Sequence, residues 1–406
     1  MAMADLPLHH IIVTGGTGYI GSRLVELALV RGCKVTLLGR RSGECAARHV
    51  AWTLGEPMPR DALDDRFSTE TQALVHLAHD WAADAYYNVE GTKLLFDGAR
   101  QAGLAARIFV SSQSAQKEAL NRYGRLKWAT EQALPADVSL RVGLVYGGPR
   151  VAMYGLLHRI TALPLLPMVD PHRCVQPIHR DEVAEGIFAA IDRRLTGVFA
   201  LAGPHPMSFG DVLRTLARVC RGRNLPIVPV PLRLALFGCA VTACMPIIPT
   251  INRERVLGLA GTEPMPAEDD LAILGITVMP MAQGLAQEAS GRRALLGEAR
   301  ALLRHAGGIA PETVLLKRYA RAFADGAIAY PRYLAGWREP FGTTSLLGNR
   351  MRVAARIAET SPRVEAAQAG HQGRGSQLRR LASLAWILVI EVLRVPTRLV
   401  ATMRAT

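Results

Sequence analysis

Apolar and polar positions along the first 150 residues follow two periods in turn. Ile11-Ile12-Val13 is a short apolar run that stops at Thr14, and Ser22 to Arg31 then carries apolar residues at helical spacing, so a strand feeds a helix through a glycine turn. A second strand is predicted over Lys34 to Leu38, with further short strands over 73–77, 107–110 and 138–142 and a helix over Asn88 to Ala102. Strands alternating with helices in this way predict an α/β fold, a Rossmann-type doubly wound parallel sheet with right-handed crossovers. From about Gly147 the pattern loosens around Pro164, Pro167, Pro171 and Pro177 before a helix at Asp181 to Asp192, a strand at Val198 to Leu201 and a helix at Phe209 to Cys220. Residues 225–251 are nearly all apolar, yet Pro226, Pro229, Pro231 and Arg233 break the run. A buried or lipid-touching helical hairpin is expected there rather than a membrane span, which needs about 20 apolar residues in a row. The expected organisation is a nucleotide-binding core over 1–146, a smaller substrate-side lobe over 147–290 with elements returning to the core, and a mainly helical extension over 291–406.

Charge divides the chain at the same place. Residues 291–406 hold 19 Lys and Arg against seven Asp and Glu, which accounts for most of the formal net charge of +14. The first 290 residues are therefore electrostatically ordinary. No nucleic-acid module or aromatic platform accompanies the basic tail, so nucleic acid is not the expected partner. The six cysteines form no CxxC pair and no zinc-type Cys/His spacing. Buried free thiols and no metal are expected. Residues 1–10 lack the basic and apolar regions of a signal peptide, which suits a reducing cytoplasm.

The glycine turn carries the first chemistry. Gly16-Thr17-Gly18-Tyr19-Ile20-Gly21 satisfies GxGxxG, and Gly15, Gly18 and Gly21 give GxxGxxG. After a strand and before a helix, such glycines let the backbone approach a dinucleotide pyrophosphate, which the N–H groups of the helix N-terminus bind. An Asp or Glu about 20 residues on grips the ribose 2′-hydroxyl of NAD, whereas Arg accommodates a 2′-phosphate. Here the second strand ends in Leu38-Gly39-Arg40-Arg41, with no carboxylate. NADP(H) is therefore favoured over NAD(H), the alternative being a solvated basic loop.

Together with that turn, HLA at 76–78, NVEGT at 88–92, FVSS at 109–112, YGRLK at 123–127 and VYGGP at 145–149 occur in an order that resembles the extended and atypical short-chain dehydrogenase/reductases, the NAD-dependent epimerase/dehydratase superfamily. The resemblance covers about 280 residues. It implies a catalytic set of Tyr123, Lys127 and Ser112, with Ser114 as an alternative serine, and cofactor contacts from Gly15, Thr17, Gly18, Tyr19, Ile20, Gly21, Leu77, Ala78 and Lys127. Tyr123 and Lys127 lie four residues apart, on one helix face. The Lys127 ammonium is expected to lower the pKa of Tyr123 so that the phenol works as a general acid or base. Asn88 is read either as a support of the helix bend and proton relay or as a helix cap. His79, Asp80 and Trp81 are read as pocket lining or as loop, His179 as a residue beside the substrate, and Asp181 as a helix N-terminal charge. Two departures stand out: Tyr123 follows Ser112 by only 11 positions, and Val142 follows Arg141 where the family has proline. A looser similarity is to the atypical branch that includes the 39 kDa accessory subunit of respiratory complex I.

Two functions are compatible with these residues. One is an NADP(H)-dependent enzyme acting on a carbonyl or secondary alcohol of a small-molecule substrate. The other is a non-catalytic NADPH-binding assembly or membrane-associated protein. For the latter, residues 377–406 place a thirteen-residue, mainly apolar run from Leu381 to Leu393 between arginines. That suits a helix lying on an anionic membrane surface, at the inner face of a membrane, and equally a helix that caps the core or a partner. Oligomeric state is not legible.

Overall fold

The structure, a computed structural model, describes residues 10–40, 47–82, 85–231, 263–307, 311–324 and 354. Arg41, most of 225–251 and the segment 377–406 lie outside the described residues. The chain divides into two compact units, Met1–Ala286 and Gln287–Thr406, close to the boundary expected at 290.

In the first unit, β1 (His10–Thr14), β2 (Lys34–Gly39), β3 (Arg48–Ala51), β4 (Gln72–His76), β5 (Ala106–Ser112), β6 (Val138–Val142) and β11 (Gly197–Leu201) form one seven-stranded sheet. Its order is β11-β6-β5-β4-β1-β2-β3, and each pairing is parallel. The order reverses between β1 and β4, and a doubly wound sheet opens its ligand crevice at such a point. Both faces are buried, as parallel sheets require. Period-2 alternation sends Ile11, Val13, Leu37, Val75, Ile108 and Val110 to one core and Ile12, Leu38, Leu74 and Phe109 to the other. The first core is shared with α1 (Tyr19–Val30), α5 (Arg180–Asp192) and α7 (Glu268–Leu274), the second with α2 (Ala85–Gln101). Beside α2 packs α3 (Arg122–Ala133).

The smaller lobe has its own apolar cluster. It is built from Tyr146 at the end of β7 (Leu144–Tyr146), Tyr154 and Leu157 of α4 (Ala152–Ile160), and Leu166 of β8 (Leu166–Met168). Phe209, Val212, Leu213 and Leu216 of α6 (Phe209–Arg221) complete it with Met281 and Leu285 of α8 (Met281–Gly307). The proline-rich stretch supplies β9 (Cys174–Val175) and β10 (Pro177–His179), which pair with β12 (Met207–Ser208) and β7. β13 (Ile227–Pro229) runs parallel to β8, so the described start of the 225–251 stretch is a strand and not a helical hairpin. Pro226 and Pro229 fit there because an edge strand spares part of its N–H ladder.

Further boundaries differ from the sequence reading. Tyr19 rather than Ser22 opens α1, with Gly18 as its N-cap, and α2 starts at Ala85. Asn88 is thus inside the helix and not its cap. Cys33, Cys174 and Cys220 are half-buried rather than fully buried. In the second unit, α9 (Thr313–Ala324) buries Leu315, Leu316 and Tyr319.

Candidate active site

The turn after β1 is held by its glycines. Gly15 has φ +68°, and a Cβ there would lie 2.8 Å from the Ala78 nitrogen; a Cβ on Gly21 would lie 2.2 Å from the Gly15 carbonyl oxygen. Side chains are excluded, and the end of β1 runs close to the Leu77-Ala78 segment that follows β4. Leu77 N donates to Thr14 O at 3.2 Å and Ala78 N to Thr14 Oγ1 at 3.3 Å. The N-terminus of α1 has no side-chain cap and no acidic residue in its first turn. A helix N-terminus of this kind favours an anion. Thr17 and Gly18 are exposed in the turn, and Tyr19 reaches across to donate to Gly147 O at 2.6 Å. Ile20 is half-buried against the main core.

Arg180, which the sequence reading passed over, is buried beside this turn. Its Nη2 donates to Ser22 Oγ at 3.0 Å and its guanidinium carbon lies 5.4 Å from the Tyr19 ring centroid. Its only sequence signal is an arginine opening an otherwise apolar helix face. Arg40 is exposed directly after β2.

Under the turn runs a buried chain of hydrogen bonds whose direction is forced. Thr92 Oγ1 donates to Asn88 O at 2.7 Å, so it must accept from His76 Nε2 at 3.2 Å; His76 Nδ1 is then the acceptor for the Thr14 hydroxyl at 2.7 Å. The ring is neutral. Burial, with Lys127 nearby, pushes its pKa down to about 3. Asn88 adds a clamp: its Oδ1 accepts from Asp80 N at 3.1 Å and its Nδ2 donates to Asp80 O at 2.9 Å. That fixes the loop carrying His79, Asp80 and Trp81.

At the ends of β5 and α3 the remaining residues meet. The Tyr123 phenol lies beside the Ser112 side chain, and Ser112 Oγ lies 3.0 Å from Ser114 Oγ. The meeting requires Gly124, where a Cβ would fall 2.2 Å from Ser114 O. Asn121 caps α3 by accepting from Gly124 N at 3.2 Å. Lys127, 4% exposed, donates to Val110 O at 2.7 Å, with its Nζ 4.4 Å from the Phe109 ring centroid and 5.7 Å from that of Tyr123. Below it, Glu131 is fully enclosed, accepting from Ser111 Oγ at 2.5 Å and from the Arg141 guanidinium, with which it makes an ion pair at 2.6 Å.

Over Tyr123 lies an aromatic group. Trp81 stacks on it with ring centroids 5.0 Å apart and planes 20° apart, and His79 meets it edge-on at 5.0 Å. Burial pushes Tyr123 up to about 12, with the Ser112 hydrogen bond opposing, and pushes Lys127 down to about 7, with Glu131 opposing. This corrects the expectation that Lys127 lowers the Tyr123 pKa. The desolvation of the phenol outweighs the ammonium, which is itself desolvated and aimed at a carbonyl. Burial and Lys127 likewise push His79 down to about 4.

His179 is not found free beside a substrate. It caps α5, accepting from Asp181 N at 3.2 Å, while its own N–H donates to Glu182 Oε2 at 2.8 Å. Asp181 pairs with Arg23 at 2.7 Å. Also unanticipated is an amide clasp. Gln113 Nε2 donates to Gln176 Oε1 at 3.1 Å and to Glu263 O at 2.9 Å, and Gln176 Nε2 donates to Met265 O at 2.9 Å. Glutamines at buried strand ends were its signal.

Comparison with known proteins bears on this arrangement. The chain is 28% identical over 209 residues to a ceramide reductase of Caulobacter vibrioides, covering 47% of this chain and 64% of that one. It is 30% identical over 162 residues to a UDP-glucose 4-epimerase of Rhizobium meliloti, covering 34% of this chain and 49% of that one. It thus spans less than two thirds of either relative. Among solved structures, a human epimerase family protein crystallised with NADPH superposes with a TM-score of 0.52 at 20% identity, covering 69% of this chain and 99% of that one, which shows a shared fold. The NAD dependent epimerase/dehydratase family pattern matches residues 11–130, about three tenths of the chain.

Proposed function

We propose that the chain is an NADP(H)-dependent oxidoreductase or epimerase-type enzyme acting on a carbonyl or secondary alcohol, with Tyr123, Lys127 and Ser112 as its catalytic residues. The observation that carries the reading is the Tyr123 phenol beside the Ser112 side chain, with Lys127 Nζ 5.7 Å from the Tyr123 ring centroid, at the same C-terminal end of the sheet's strands as the glycine turn. The uncapped N-terminus of α1 and the Arg180 guanidinium beside it fit a dinucleotide diphosphate. Arg40 and Arg41 fit a 2′-phosphate. When bound, the nicotinamide exchanges hydride with the reacting carbon. The chain's own residues handle the oxygen. Ser112 donates a hydrogen bond to it and the Tyr123 hydroxyl gives up its proton as a carbonyl becomes an alcohol, while Lys127, when protonated, is the cation on the same helix face as the phenolate left behind.

Hydrophobic ketones and nucleotide sugars are the two substrate classes this reading admits, in keeping with the ceramide reductase and UDP-glucose 4-epimerase to which the chain is similar. Tyr123→Phe is expected to abolish turnover while NADPH affinity stays within about threefold, because the phenol touches the reacting oxygen and not the diphosphate. Lys127→Ala is expected to damage both. Full activity of Tyr123→Phe overturns the assignment. For the cofactor, Arg40→Asp should weaken NADPH by about tenfold or more and leave NADH little changed. Equal wild-type affinities for the two cofactors, read by titration calorimetry, refute the preference. The basic excess of 291–406 supports a second reading, a non-catalytic NADPH-binding assembly or a protein peripheral to the inner face of a membrane.

A further inference from the structure

Trp81 is 71% exposed although it lies flat on Tyr123, so one indole face is covered and the other is open. Its loop is not loose. Two Asn88 hydrogen bonds hold Asp80, and Asp80 Oδ1 accepts from Ala82 N at 2.9 Å. His79 closes the side, 4.7 Å from the Trp81 ring and 5.0 Å from that of Tyr123. A group whose carbon reacts at the Tyr123 hydroxyl is therefore bounded by an aromatic wall. Among the described residues, both ends of the Asn88 amide bind Asp80, and Gln113 binds Gln176 and Glu263. These two amides are therefore not left to hydrogen-bond a ring of sugar hydroxyls, and each hydroxyl left unmatched costs about 1–3 kcal/mol. Besides Lys127, the charges acting on His79 are Asp80 and Arg122, which oppose each other. Tyr123, Lys127 and His79 all shift toward their neutral forms with burial as the first cause, as in a weakly polar pocket.

We propose that Trp81 is a specificity-determining residue whose open face receives the apolar chain of an uncharged ketone or secondary alcohol, next to the reacting carbon. This deepens the functional reading above and rests on Tyr123 being the residue at the reacting oxygen. Substrates with longer apolar chains cover more of the indole and gain affinity in proportion to the area removed from water.

The test uses full-length protein with NADPH and a series of alkyl ketones of increasing chain length, with UDP-glucose as the comparison ligand. Wild-type KM is expected to fall along the series. Trp81→Ala should raise KM for the longest ketone by about tenfold to hundredfold, the loss of one buried aromatic contact, with the loss mainly in KM. Trp81→Phe should recover most of it, and NADPH affinity should not move. Calorimetric binding of the same ketones to Tyr123→Phe separates the two claims. If that variant binds ketone as the wild type does and Trp81→Ala does not, Trp81 holds substrate whatever Tyr123 contributes to turnover. Ketone binding unaffected by Trp81→Ala, or binding of UDP-glucose with none of any ketone, overturns the proposal.

Discussion

His76 shows how much one side chain can fix. Its ring accepts from Thr14 below the glycine turn and donates to Thr92 on α2, so a single neutral tautomer ties the cofactor edge to the helix whose Asn88 clamps the Trp81 loop. The ring titrates near 6.5 when unfolded and near 3 in the fold. Between those values the unfolded chain binds a proton that the native state refuses, so stability falls as pH drops below 6.5 and levels off near 3. One such group gives a slope of at most about 1.4 kcal/mol per pH unit. His10 and His79, lowered by burial too, add to the slope. His76→Phe fits an aromatic neighbourhood of Trp52, Phe96 and Phe109 and should cost about 1–3 kcal/mol at pH 7.5, since two hydroxyls each lose a partner. The same variant should lose about one proton's worth of acid sensitivity. Urea unfolding from pH 4.5 to 8 reads both, and an unchanged slope means that His76 is not the refusing group. None of this was legible in the sequence, where the histidine only continued an apolar strand.

At the scale of elements, the site depends on how closely α3 approaches the end of β5. Gly124 stands in the first turn of α3 with no room for a Cβ against Ser114 O, so the segment carrying Ser112 and Ser114 rests directly on that turn. Gly124→Ala should push the segment away, lower kcat by about tenfold or more and leave NADPH affinity within about threefold. Gly21→Ala, which drives a methyl into the Gly15 carbonyl, should instead abolish cofactor binding and destabilise the fold by about 1–3 kcal/mol. Melting curves with and without NADPH distinguish the two. The alternation of strand and helix was readable because each strand of a parallel sheet is a compact apolar run and each crossover helix repeats every three or four residues. Asn88 misled because a cap and a mid-helix clamp use the same amide, and the partner, Asp80, is a loop backbone that no periodicity marks. The Ile227–Pro229 strand was missed for a related reason: its partner, β8, is some sixty residues away, and such pairing leaves no local signature.

For the molecule as a whole, the contrast between an electrostatically ordinary first unit and a basic remainder sets the last expectation. A Rossmann-type unit that ends near residue 286 has its own cores and needs no excess of positive charge to fold. The excess is the ground for expecting a partner of opposite sign. Residues 377–406 set Arg379 and Arg380 before the Leu381 to Leu393 run and Arg394, Arg398 and Arg404 after it, with Trp386 inside. Among the described residues no helix is long and apolar enough to cross a membrane, and the run itself is shorter than the roughly 20 residues a span needs. An amphiphilic segment with basic flanks gains about 1 kcal/mol per Lys or Arg at an anionic surface, so a few arginines with shallow insertion suffice for binding. Full-length protein is expected to sediment with vesicles containing phosphatidylserine at low ionic strength and not with neutral phosphatidylcholine. Binding should weaken as salt shortens the screening length below about 10 Å, and a chain ending at residue 376 should bind less. Protein that stays in the supernatant with anionic vesicles at low salt removes the membrane from the account and leaves the segment as a packing or assembly element.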